Sequence, residues 1–281
     1  MQQANIAALK KTANELRRNI ITMIYEAQSG HPGGSLSIAD FITACYWHAM
    51  NVDPANPRWS ERDRFVLSKG HTCPAQYAAL AMKGFFDMSV LSTLRKEGSI
   101  LQGHPDMKKC PGIDISTGSL GQGFACAVGM ALAAKLDEKK YRVFCAIGDG
   151  ECNEGQVWEG AMFAAHYKLD HLIAFVDLNK QQLDGKTDDV MYMGDMVEKF
   201  KAFGWNTVKV DGHNVDAIKD AIDAAKAQSG KPSMIILDTV KGHGCLLAES
   251  MFPCHHIAFT AEQIAPSVEH AEKVLEQARK A

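Results

Sequence analysis

Three stretches of this chain are apolar for a strand's length with hardly a break: YRVFCAIG at 141–148, HLIAFVDLN at 171–179 and SMIILDTV at 233–240. A strand wet on one face alternates polar and apolar residues. A continuous run suits a strand covered on both faces, which happens where helices cross between parallel strands. The intervals carry such helices. Apolar residues recur at helical spacing in the first of them, predicted over 4–27, at Ile6, Leu9, Ala13, Leu16, Ile20 and Ile24. Further helices are predicted over 37–50, after Pro74, over 120–140 (entered through glycines), and over 154–167, 195–203, 215–228 and 261–280. RFVLSKGH and WNTVKV add two short strands. Strand and helix alternating at crossover spacing predict an α/β fold, a mostly parallel sheet with helices on both faces. No linker or repeat divides the chain, so residues 1–281 read as one domain.

Composition narrows the function more than the fold. With a net charge of −3 and Lys and Arg scattered singly, no basic stripe offers itself to a nucleic-acid backbone. The longest apolar run, 124–134, is too short to span a bilayer, and the first twenty residues lack a signal-peptide core. Eight cysteines occur without one CxxC pair, which excludes a zinc ribbon and a thioredoxin motif. They read as small buried hydrophobes of a reducing compartment, and the cytoplasm is the expected location.

In sheets of this kind ligands bind beyond the carboxyl ends of the strands. Two of the apolar runs end there in oxygen donors. The first leaves through Gly148-Asp149-Gly150, and the second reaches Asn179. Consecutive parallel strands can bring one carboxylate and one amide to a single cation. Hard oxygen donors suit Mg²⁺ or Ca²⁺, and Mg²⁺ commonly completes its shell with phosphate oxygens. Glycines beside Asp149 let phosphate approach the backbone, and the next helix offers its N-terminal amides. Taken alone, a Gly-Asp-Gly turn is more often structural. An EF-hand fits poorly, because Asp149-x-Glu151-x-Asn153 puts Gly155 one position late and follows a strand. GSLGQG at 118–123 has GxxGxG spacing, not that of a dinucleotide fingerprint.

Gly148-Asp149-Gly150 followed by Asn179 resembles the thiamine diphosphate motif. SGHPGGS, SKGH, GHP, STGSLGQG, GDGECNEGQVWEG and DLNKQQLDG occur in the order in which the transketolase family carries their equivalents. The resemblance runs from about residue 10 to 265, and within the family the chain looks like the N-terminal subunit of a split enzyme.

That resemblance implies a set of roles. Asp149 and Asn179 would hold Mg²⁺, or Ca²⁺ or Mn²⁺ in its place, joined by the main-chain oxygen of Gln181, with the metal bridging the diphosphate of thiamine diphosphate. Gly150 would touch the diphosphate through its backbone. His71 and the turn Gly118-Ser119-Leu120 would line the cofactor site. His31, His104 and His255 would face the reacting carbons, and the neighbouring His256 is able to take the last role. Glu154 would stand near the cofactor at a subunit interface. Two positions depart from the long single-chain enzymes: Ser119 stands where they usually have Pro, and Leu178 where many have Asp.

The aminopyrimidine ring in this family is held by a second domain, for which the chain after HAEKVLEQARKA leaves no room. A separate C-terminal, pyrimidine-binding subunit is therefore expected, in an α₂β₂ assembly. The reaction implied is transfer of a two-carbon ketol unit from a ketose phosphate to an aldose phosphate. The other readings are a 2-oxo acid dehydrogenase E1 α-subunit, a deoxyxylulose phosphate synthase, or a non-catalytic subunit retaining the fold.

Overall fold

The structure is a computed structural model that describes residues 5–252 and 254–280. In chain order the helices are α1 (Ile6–Ala27), α2 (Pro32–Ser37), α3 (Ala39–Ala44), α4 (Cys73–Lys83), α5 (Gln122–Leu136), α6 (Gly155–His166), α7 (Thr187–Val190), α8 (Met196–Ala202), α9 (Val215–Ala227), α10 (Leu246–Ser250) and α11 (Ala261–Lys280). The strands are β1 (Arg64–Leu67), β2 (Val143–Gly148), β3 (Leu172–Leu178), β4 (Asn206–Asp211) and β5 (Ser233–Asp238). They form one sheet in the order β1-β2-β3-β5-β4, and every neighbouring pair is parallel.

The continuous apolar runs are buried on both faces, as their composition requires. Phe144, Ile173, Phe175, Ile235 and Leu237 pack against α1, α3, α4 and α9. Their neighbours in sequence, Val143, Cys145, Leu172, Ala174, Val176, Met234 and Ile236, pack against α5, α6 and α8 on the other side. Residues alternate between faces along each strand, so only an apolar run satisfies both layers. β4 lies at the edge, and its side chains are correspondingly half-buried or exposed.

Local chemistry sets the helix ends. Asn5, Asp195 and Asn214 each accept backbone N–H groups from the first turn of α1, α8 and α9. The expected start of the first helix at Ala4 lies outside the described residues, and the helix stops at Ala27 as expected. The second helix differs from expectation. Instead of one helix over 37–50, α2 begins at Pro32, inside the Gly/Pro segment, and α3 runs on into a π-turn over Cys45–Ala49. Proline is well placed there, since the first turn of a helix needs no N–H from it. α7 and α10, two short helices, are not legible in the periodicity because each is barely a turn long. No helix among the described residues is long and apolar enough to cross a membrane.

Candidate functional site

Gly148 on β2 pairs with Asp177 on β3, so the turns that follow these strands stand side by side at the carboxyl edge. The turns after β1 and β5 flank them. Together they enclose a cavity of about 280 Å³, lined by Gly34, Lys69, His71, Gly118, Leu120, Gly148, Asp149, Gly150, Glu151, Asn179, Gln181, Gln182, Leu183, Lys241 and His255.

Asp149 is 2% exposed. Its Oδ1 accepts the N–H of Gly150 at 2.8 Å, and its Oδ2 accepts the N–H of Lys180 at 2.6 Å. Burial, and then the nearby charge of Asp177, push its pKa up to about 6. Asn179, on the next strand end, is also buried. Its Oδ1 accepts the N–H of Gln181 at 3.1 Å, and the main-chain oxygen of Gln181 accepts from the Lys241 ammonium at 3.1 Å. The Gln181 Oε1 atom is buried without a hydrogen-bond partner among the described residues.

Beside these oxygen donors lies a cluster of imidazoles. The ring of His31 is 5.1 Å from that of His71, 5.2 Å from His255 and 5.0 Å from His256. Burial, and then the surrounding charges, lower the pKa of His31 to about 3, of His71 to about 2 and of His255 to about 4. These rings are neutral at physiological pH, each with one donor and one acceptor nitrogen. His104 stands at the exposed rim, and its pKa is lowered by the cover of its neighbours and then by Arg95. The two candidates in the CHH segment separate here. His255 lines the cavity, with Nδ1 3.4 Å from Lys241 Nζ. His256 turns to Ser29, 3.3 Å from its hydroxyl.

The structure brings most of the remaining residues to the same wall. Gly118 has φ of +150°, and a Cβ there would fall 3.0 Å from the ring of His104. Gly118 and Leu120 line the cavity, whereas Ser119 between them does not. Glu154 is exposed at the start of α6, outside the cavity wall.

Four buried charges at the site escape a reading of the sequence. Lys69 and Lys241 bring ammonium groups to the cavity, and each follows a strand end, a position that could have flagged them. Asp177 pairs with Lys69. Glu151 receives the Ser68 hydroxyl, the N–H of Gly121 at 2.7 Å and the N–H of Gly148 at 3.0 Å. It thereby ties three turns together from inside the very motif that draws attention to Asp149.

The chain matches the family model described as "Transketolase, thiamine diphosphate binding domain" over residues 8–271. It belongs to that family. Among curated proteins it is 48% identical over 265 residues to the 6-deoxy-6-sulfo-D-fructose transketolase subunit SqwG of Clostridium sp., covering 94% of this chain and 96% of that one. It is 38% identical over 275 residues to one of the subunits of the apulose-4-phosphate transketolase of Phocaeicola vulgatus, covering 98% of each chain. Among solved structures it superposes on the Campylobacter jejuni transketolase with a TM-score of 0.89 at 31% identity, covering 98% of this chain and 46% of that one. The α/β fold and the family resemblance both stand, and the chain is a transketolase-type thiamine diphosphate-binding unit.

The site suits a diphosphate and a divalent cation on its own chemistry. A buried carboxylate with a second one nearby is costly without a cation, as the raised pKa of Asp149 shows. One carboxylate, one amide oxygen and one carbonyl oxygen form a hard donor set. A Cβ at Gly150 would meet Gln182 at 3.0 Å, which keeps that backbone bare, and two ammonium groups supply anion-binding charge.

Proposed function

We propose that this chain is the diphosphate-binding subunit of a two-subunit transketolase that moves a two-carbon ketol unit from a ketose to an aldose phosphate. The observation that carries the reading is the convergence of Asp149, Asn179 and the Gln181 carbonyl with the imidazole cluster on one cavity. In this reading Asp149, Asn179 and the main-chain oxygen of Gln181 hold the cation, Mg²⁺ by preference. The backbone of Gly150, His71, Gly118 and Leu120 face the cofactor, whereas Ser119, expected there from the sequence, stays outside the cavity wall. When bound, thiamine diphosphate supplies the electron sink that lets a carbon–carbon bond beside a carbonyl break. His31, His104 and His255 bind substrate hydroxyls and carry protons, work that a neutral imidazole can do in both directions.

The relatives named as subunits support a partner chain; in this reading it is the C-terminal, pyrimidine-binding subunit, in an α₂β₂ assembly. Glu154, exposed beside Gly121, would stand at that contact. Eight unpaired cysteines support a reducing, cytoplasmic location. The donor would be a ketose with an anionic terminal group, a phosphate or, as in the name of the Clostridium relative, a sulfonate.

The test is reconstitution with the complementary subunit, thiamine diphosphate and Mg²⁺. Ketol transfer from D-fructose 6-phosphate or 6-deoxy-6-sulfo-D-fructose to an aldose phosphate is expected. Decarboxylation of pyruvate without ketose cleavage would replace this reading with the 2-oxo acid one. Cofactor uptake without either reaction would leave a binding subunit.

A further inference from the structure

Asp177 lies on β3 two residues before Asn179 and is 1% exposed. Its Oδ2 accepts from the Lys69 ammonium, from Ser37 Oγ at 2.7 Å and from Asn179 Nδ2 at 2.8 Å, and its Oδ1 accepts from Thr239 Oγ1 at 2.5 Å. The donors come from α2 and from the ends of β1, β3 and β5. A carboxylate surrounded by donors acts as an acceptor only. The Asn179 amide must therefore turn its NH₂ toward Asp177, which leaves Oδ1 on the opposite side, where it takes the N–H of Gln181. Flipped, the amide would set oxygen against carboxylate and N–H against N–H.

We propose that Asp177 is a positioning residue that fixes the Asn179 amide so that its oxygen, not its nitrogen, faces the cation. The inference rests on Asn179 being a cation ligand. A plain structural role, neutralising Lys69, predicts something different, because it does not depend on what stands at 179.

A double-mutant cycle on the full-length chain separates the two. The readout is Mn²⁺ bound in the presence of inorganic diphosphate, followed by electron paramagnetic resonance of free Mn²⁺. Asp177→Asn should weaken Mn²⁺ binding about 10- to 100-fold, the range for removing a partner that orients a metal ligand. In an Asn179→Ala background there is no amide to orient and no new charge beside Asp177, and the same change should alter the remaining affinity less than about threefold. Equal losses in both backgrounds, or no loss in the native one, would overturn the proposal. Wild-type chain that takes up no Mn²⁺ with diphosphate would instead overturn the site reading on which it rests. If Asp177→Asn fails to fold because Lys69 is left uncompensated, the cycle is run with Lys69→Met in every arm, and the same comparison decides.

Discussion

The Lys241 ammonium is hydrogen-bonded to the main-chain oxygen of Gln181 at 3.1 Å and stands 3.4 Å from Nδ1 of His255. One buried cation thus joins the turn after β5 to the turn after β3 and to the imidazole cluster. It sits on an oxygen proposed to face the metal, so it competes with a free cation yet favours an anion. Lys241→Met is accordingly expected to act in opposite directions. Mg²⁺ alone should bind more tightly, while inorganic diphosphate should bind about tenfold or more weakly, the scale of one charged hydrogen bond. Calorimetry with each ligand separately checks both signs; a loss of both, or of neither, would contradict the arrangement.

Asp149 makes the metal-free chain sensitive to pH. Its folded pKa of about 6 lies above the ordinary value of 3.8. The protonated form is therefore favoured by folding, and this contribution is complete below the unfolded pKa and lost as pH rises through about 6. Over that window it amounts to about 3 kcal/mol. Asp149→Asn should abolish that pH-dependent part, so the wild-type minus variant difference in urea stability should shift by about that amount between pH 4 and 7.5. The same variant should lose Mn²⁺ binding in the presence of diphosphate, and wild-type affinity should fall as protons compete below about pH 6. A difference that does not change with pH would exclude this account.

The imidazoles push the other way. The pKa values of His31, His71 and His255 are depressed to about 3, 2 and 4, so the unfolded chain binds protons that the folded one refuses. Stability from this source is present above about pH 6.5 and is lost as pH falls below it. His71→Gln should therefore blunt acid unfolding between about pH 6.5 and 4.5, measured as a smaller drop in urea midpoint. Function should divide differently. His255 faces the cavity and His256 faces Ser29, so His255→Ala should lower the kcat of the reconstituted enzyme by about 10²-fold or more. His256→Ala should stay within about tenfold. The reverse order would move the substrate-facing role to His256.

What the sequence makes legible follows from how local each signal is. The apolar runs read directly as doubly covered strands, and Asp149 and Asn179 stand at their ends, where the sheet's geometry alone brings them together. Lys69 and Lys241 also follow strand ends, but that position alone does not show what they pair with, and Asp177, inside β3, lacks even that signal. Their meaning lies in contacts among α2, β1, β3 and β5, and a buried Asp in a run such as IAFVDL looks like an interruption until Lys69 is seen beside it. The helix at Pro32 is hidden because glycine and proline mark loops by propensity. Here the glycines answer a tertiary demand that propensity does not contain.

Gly33 shows that demand most sharply. A Cβ at this position would fall 2.0 Å from the main-chain oxygen of Cys254 and 2.9 Å from Cγ of Lys241. The backbone is also pinned, since the Gly33 oxygen accepts the N–H of Gly242 at 2.9 Å. Gly33→Ala can be accommodated only by moving the segment that carries Cys254 and His255, the Lys241 turn, or the start of α2 beside His31. Overpacking of this kind costs about 1–3 kcal/mol, and displacement of the site should weaken diphosphate binding as well. Gly129, in the middle of α5, provides the contrast. Nothing lies within 4 Å of its added Cβ, so Gly129→Ala should stabilise the chain by roughly 1 kcal/mol through helix propensity and leave diphosphate binding unchanged. Thermal unfolding and diphosphate calorimetry on the two variants test the pair together. If Gly33→Ala behaved like Gly129→Ala, the close approach of α2 to the His255 segment would not be what places the imidazoles at the cavity.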